Sequence, residues 1–172
     1  MAETTEKPDN PPDRPLSMLG ISIVGATILI DQATKIWAEK SLEYGQQIDL
    51  IPILSLYRVH NTGIAFSMLT DFGGAGLIAL ILAVIVIVLV IWQKSSDGGR
   101  PAAIGYALIL GGALGNLIDR LAYGHVVDFL YLHLGERPLF VFNIADAALT
   151  IGPVLMIVIF LLPIGGRSKP RK

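Results

Sequence analysis

Acidic residues stand where an apolar helix should carry none. The run FNIADAALTIGPVLMIVIF, residues 142–160, reads as a membrane helix, yet its first turn contains Asn143 and Asp146. A charge at the centre of a bilayer helix costs about 2.5–3.5 kcal/mol on insertion scales, so an acid kept there is by default a functional residue with partners to be found. Asn143 and Asp146 lie three apart and share a helix face, which lets the amide hydrogen-bond the carboxylate. The plainer alternative is an N-terminal acid responding to the helix dipole. Partners are available in three further stretches. DQATK places Asp31 and Lys35 as an acid-first i, i+4 pair, which suits a local ion pair. GGALGNLIDR puts Asn116, Asp119 and Arg120 on one face of a last turn, where an ion pair would fix the turn. GHVVDF sets Asp128 among Val126, Val127, Phe129 and Leu130, in a segment too short to span, so that it lines the membrane surface or re-enters it.

Other chemistries find no residues. The chain has no cysteine, which removes disulfides, thiolate metal sites and a cysteine nucleophile together. His60, His125 and His133 show neither an H-E-x-x-H motif nor i, i+4 pairing, so no zinc site is expected. No G-x-S-x-G or Ser/Lys pattern supports a serine nucleophile. A net charge of -1 offers no basic surface for nucleic acid. Carboxylate chemistry remains, and it requires neither metal nor organic cofactor.

The elements that position these acids follow from hydropathy. With 53% hydrophobic residues in 172 and a mean hydropathy of +0.63, the chain reads as a small integral membrane protein. Apolar runs long enough to cross a bilayer fall at 16–37, 72–92, 101–118 and 144–164, predicting a four-helix bundle. The second run has no polar side chain between Phe72 and Trp92 and should face lipid. The third carries Gly105, Gly111, Gly112 and Gly115, which permit close backbone approach, and should pack inside. Pro153 should kink the fourth. Between the first two spans, QQIDLIPILSLYRVHNTGIAFS combines short apolar runs with an NTG turn signal, predicting a small strand-containing element on the outer side; there Asn61 could serve only as a turn former. Residues 1–15 read as a disordered tail and 165–172 as a basic one, flanking one membrane domain over 16–164.

Lysine and arginine divide eight to five, with the C-terminal cluster in the majority, so both termini are expected in the cytoplasm. This orientation makes depths comparable. Asp31 follows Leu16 by a rise of about 22 Å and lies just below the outer boundary; Asn116 and Asp119 close the third span there, and Asn143 and Asp146 open the fourth. An ion-coupled transporter or proton channel is the rival class, but its acids should continue through the membrane, and these stop at one layer.

DQATK, NTGIAFS, GGALGNLIDR, GHVVDF and FNIADAAL, in this order over residues 16–164, resemble the lipoprotein signal peptidases, signal peptidase II of bacteria. Ile64, after the NTG, departs from the small residue more usual there. The resemblance implies that Asp128 and Asp146 form the catalytic dyad of an aspartic endopeptidase. It also implies that Asp31, Asn61, Asn116, Arg120 and Asn143 support the site or hold the substrate. That substrate would be a prolipoprotein cut on the amino side of a diacylglyceryl-modified cysteine. The enzyme would be a monomer among the lipids of the bacterial cytoplasmic (inner) membrane, its active site at the outer (periplasmic) face.

Overall fold

The computed structural model describes residues 13–63, 73–95 and 98–161; Ile64, most of the N-terminal tail and the basic C-terminal tail lie outside them. Four helices form: α1 Met18–Ser41, α2 Gly73–Lys94, α3 Gly99–Tyr123 and α4 Ile144–Leu161. The first three are long and apolar enough to cross a membrane, whereas α4 is described over 18 residues. Pro153 interrupts the α4 ladder without ending the helix. Ser17 caps α1 by accepting from the Gly20 amide at 3.1 Å. At its C-terminus α3 closes on Gly124, whose φ of +75° is the left-handed conformation in which a glycine is least strained.

Hydropathy sorts the helices as expected. Val86 and Ile87 of α2 are more than half exposed, as are Leu29 of α1 and Ile157 of α4, giving the outward apolar surface of a membrane protein. The inner position belongs to α3, which buries Ala102, Ala103, Tyr106, Ala107, Leu110 and Ala113 against its neighbours. Its glycines set the spacing. A β-carbon on Gly111 would sit 2.7 Å from Thr27 Cβ of α1, and one on Gly112 would sit 2.5 Å from the Ala145 carbonyl oxygen of α4. One on Gly115 would meet Asp31 Oδ2 at 2.7 Å. Gly112→Ala must therefore push the first turn of α4 away, and overpacking of this kind costs about 1–3 kcal/mol. Its melting temperature in detergent should fall by several degrees, while Gly25→Ala, with nothing within 4 Å of the added carbon, should leave it unchanged or higher.

The sheet is larger than the sequence reading allowed. β1 Gln47–Ile51 and β2 Leu54–Asn61 arise between α1 and α2 as expected, but β3 Val126–Leu134 and β4 Arg137–Phe142 join them from between α3 and α4. The order is β1-β2-β3-β4, antiparallel throughout. An all-α bundle with a β element confined to one loop is thus corrected to four helices with a two-loop sheet. The reason lies in VVDF: Val126 through Phe129 are all buried, so this strand start shows the unbroken apolar run of an element covered on both faces rather than period-2 alternation. It reads equally well as a membrane-surface segment. Register places Asp128 opposite Val59 and Asn61 opposite Val126.

Candidate active site

Helix α4 begins at Asn143, and the start of that helix builds the site. The Asn143 carbonyl oxygen Oδ1 accepts from the Asp146 amide at 2.9 Å, and Asp146 Oδ2 accepts from the Asn143 amide at 3.3 Å. These reciprocal bonds form a capping box, with an acid in place of the usual Glu or Gln three residues on. Sequence spacing suggested that the Asn143 amide group would hold Asp146. Instead the Nδ2 group points the other way, donating to Asp128 Oδ1 at 2.6 Å and to Asn116 Oδ1 at 3.2 Å. Asn143 is fully buried and all its hydrogen-bonding capacity in this direction is used.

The two carboxylates therefore face one another through shared amides. Asp128, 1% exposed, also accepts from Asn61 Nδ2 at 2.9 Å. Asn61 is a turn former too, its Oδ1 taking the Gly63 amide at 2.9 Å, so the bland and the functional readings of that residue both hold. Asp146 accepts on Oδ1 from Asn116 Nδ2 at 2.7 Å. Burial first, and then the neighbouring Asp146 charge, push the Asp128 carboxyl up to about 7, against the opposing pull of the Asn61 and Asn143 amides and of Lys35.

Beneath the pair lies a buried ionic hub whose centre the sequence reading assigned to a local ion pair. Lys35 Nζ reaches Asp31 Oδ2 at 2.8 Å, Asp119 Oδ2 at 3.0 Å and Asn116 Oδ1 at 3.0 Å, which uses all three ammonium hydrogens. Asp31 Oδ1 accepts the Ala145 amide of α4 at 2.9 Å, and Asp119 Oδ2 accepts the Val127 amide of β3 at 3.1 Å. Gln32 Nε2 closes the set on Asp119 Oδ1 at 2.8 Å. One lysine thus ties α1 to the segments that carry both candidate acids. Lys35, Gln32 and Asp119 were not among the expected site residues.

Arg120 does not pair with Asp119 as the shared helix face suggested. Its guanidinium donates to the Gly63 carbonyl through Nη2 and to the Asn116 carbonyl at 3.4 Å through Nη1, while its buried Nε has no partner among the described residues. Arg120, Asn61, Asn116 and Asp146 form the polar end of a groove of about 700 Å³ whose walls are apolar, among them Leu80, Ile81 and Val84 of α2, Phe140 and Phe142 of β4, and Leu149 of α4. Such a groove suits an extended or lipid-bearing ligand with one polar reacting bond. Asp31, Asn61, Asn116, Arg120, Asp128, Asn143 and Asp146 all meet in this one region.

The family described as Signal peptidase (SPase) II matches residues 23–162. Lipoprotein signal peptidases of Brucella ovis and Brucella melitensis are each 50% identical over 136 residues, covering 79% of this chain and 85% of theirs. Among solved structures, a bacterial membrane enzyme determined by the in meso method at 2.3 Å superposes with a TM-score of 0.75 at 29% identity, covering 89% of this chain and 93% of the other. A second, at 1.9 Å, gives 0.75 at 26% identity over 92% and 100%. By the extent of the family match and the identity to its relatives, this chain belongs to the signal peptidase II family.

Proposed function

We propose that Asp128 and Asp146 are the catalytic dyad of an aspartic endopeptidase that removes the signal peptide from diacylglyceryl-modified prolipoproteins, cutting on the amino side of the lipidated cysteine. The observation that carries this reading is the pair of carboxylates joined through Asn143 and Asn116, with Asp146 itself lining the polar end of an apolar groove. Two carboxylates at close range do not both ionise cheaply, so the pair holds one proton. The ionised member takes a proton from water, the oxygen attacks the scissile carbonyl carbon, and the protonated member donates to the forming oxyanion. Collapse of the tetrahedral intermediate breaks the C–N bond, and the proton taken from water passes to the leaving amine. Arg120 and Asn61, which line the groove, are the groups placed to hold the peptide.

The apolar walls accept the lipid and part of the signal helix, which keeps the scissile bond at the membrane boundary. The reading places the chain as a monomer with four spans in the bacterial inner membrane, both termini cytoplasmic and the dyad and sheet at the outer face. It is tested by incubating the purified protein with the diacylglyceryl form of a prolipoprotein and with its unmodified precursor. Mass spectrometry should find a single cut before the cysteine in the lipidated form only; equal cutting of both forms would remove lipid recognition from the proposal.

Acid strength gives a further expected outcome. With Asp128 at about 7, about half of the molecules hold this proton at pH 7, and cleavage should fall as pH rises beyond that value, approaching about tenfold per unit. Stability should move the same way. The folded value lies above the ordinary carboxyl value of about 3.9, so the folded chain binds this proton more tightly than the unfolded chain does. The resulting stabilisation is complete below about pH 4 and is lost as pH rises to about 7. Melting curves of Asp128→Asn should lack this slope.

A further inference from the structure

Three histidines occur in the chain, and the dyad uses none of them. His133 is engaged within the sheet, where its Nε2 lies 2.7 Å from Ser55 Oγ and its Nδ1 lies 3.0 Å from the Gly135 carbonyl. The other two meet at the opposite end of β2. His60 and His125 stack with ring centroids 4.0 Å apart, and His60 Nε2 lies 2.6 Å from Glu39 Oε1 of α1. The potential ligand atoms of Glu39, His60 and His125 all fall within 4.8 Å of one another. Spacing along the chain gave no hint of this, because His60 and His125 are brought together by the pairing of Asn61 with Val126 in the β2–β3 ladder.

We propose that Glu39, His60 and His125 form a binding site for a first-row divalent transition ion of the zinc class. Two imidazoles and one carboxylate, with further positions open, are the donor set such ions prefer, and hard cations such as magnesium do not. Tetrahedral bonds of about 2.0–2.1 Å place ligand atoms about 3.3 Å apart. The Glu39–His60 contact would open slightly and the longer separations would close by no more than about 1.5 Å, within reach of side chains that are about a third exposed, 34% for His60 and 36% for Glu39.

The surroundings favour a held carboxylate. Glu39 Oε2, the oxygen not facing His60, receives Arg58 Nη1 at 3.0 Å, and the Arg58 guanidinium lies over the Tyr44 ring at 5.8 Å. Arg58 therefore fixes the carboxylate while leaving Oε1 for the ion, the second layer of contacts that metal sites generally need. Tyr44 flanks His60 at 5.2 Å and Tyr123 flanks His125 at 6.1 Å, walling the site on two sides.

The position gives the ion a task. Glu39 lies in the last turns of α1, His60 precedes Asn61, and His125 lies three residues before Asp128. A bound ion would clamp α1 to the end of β2, which presents Asn61 to the Asp128 carboxylate, and to the start of β3, which carries that carboxylate, without touching the reacting atoms.

The test uses tag-free, full-length protein in detergent micelles. Calorimetry with Zn²⁺ should give one ion per chain, Co²⁺ should develop the visible absorption of a low-symmetry nitrogen–oxygen site, and Mg²⁺ should do neither. Zn²⁺ should raise the melting temperature of wild type. His60→Ala, His125→Ala and Glu39→Gln should each melt as wild type without metal, lose that rise, and bind Zn²⁺ at least tenfold more weakly. Arg58→Met, which spares the ligands, should lose about tenfold. Wild type that shows no heat and no Co²⁺ spectrum at millimolar ion overturns the proposal, and so does Zn²⁺ binding that survives unchanged in both histidine variants.

Discussion

Asp128→Asn and Asp146→Asn should each abolish prolipoprotein cleavage, with losses of at least about 10³-fold. General acid–base catalysis contributes about 10²–10⁴-fold per group, and here a single proton is shared between two groups, so removing either carboxylate removes the function of both. The double variant should be no slower than the worse single one, because residues that act as a unit are not additive. The two singles differ in a second respect. An asparagine at 128 has one acceptor oxygen where Asn61 and Asn143 each donate to a separate carboxylate oxygen, so one of these short bonds must be lost. At 146 the bond at risk is the longer one, 3.3 Å from the Asn143 amide. Asp146→Asn should therefore melt within a few degrees of wild type and be the cleaner catalytic knockout. Measurable turnover in both variants, with the fold verified by melting, would remove the dyad.

Lys35→Met has the largest expected effect on stability. Lys35 is 3% exposed and pairs with both Asp31 and Asp119, themselves 0% and 1% exposed. Removing one partner from a buried ionic cluster leaves uncompensated charge and costs about 3–5 kcal/mol. For a chain of this size that corresponds to a fall in melting temperature of roughly 6–20 °C. Asn116 also loses the shorter of the two bonds on its Oδ1, keeping only the Asn143 amide at 3.2 Å, so the amide that holds Asp146 is less firmly fixed, and cleavage should fall even at temperatures where the variant is folded. Lys35→Arg should recover little, because a planar guanidinium fork cannot reproduce three bonds radiating from one nitrogen. Adding Asp31→Asn to Lys35→Met should restore part of the melting temperature by deleting a stranded charge. An unchanged melting temperature in Lys35→Met would show that the hub is not the keystone of the helix contacts.

Much of this arrangement was legible in the sequence, for reasons that differ by element. Hydropathy is a sum over many residues, so the apolar cores of α1, α2 and α3 were found, with ends one or two residues off and larger errors where α1 and α3 run on into polar turns. The glycines of α3 announced close packing because nothing else explains so many of them in one membrane helix. The depth of the acids followed from rise per residue. Partner choice did not follow. Asp119 and Arg120 share a helix face yet bond to α1 and to the β2 end respectively, since helical spacing shows which residues are neighbours and not which distant segment comes to meet them. β3 was hidden because a strand buried on both faces has no alternation to detect. Lys35 was misjudged because the i, i+4 contact with Asp31 does exist, at 2.8 Å, and accounts for only one of its three bonds.

Asn143 leaves this protein little room for a latent form. One side chain supplies both the cap that lets α4 begin and the amide that reaches Asp128. A molecule whose fourth helix has started correctly is already armed, and one whose site is disassembled has lost the start of that helix. On the proposed dyad, folding and activation coincide, and control of such an enzyme falls to the delivery of its substrate rather than to a switch within its own chain.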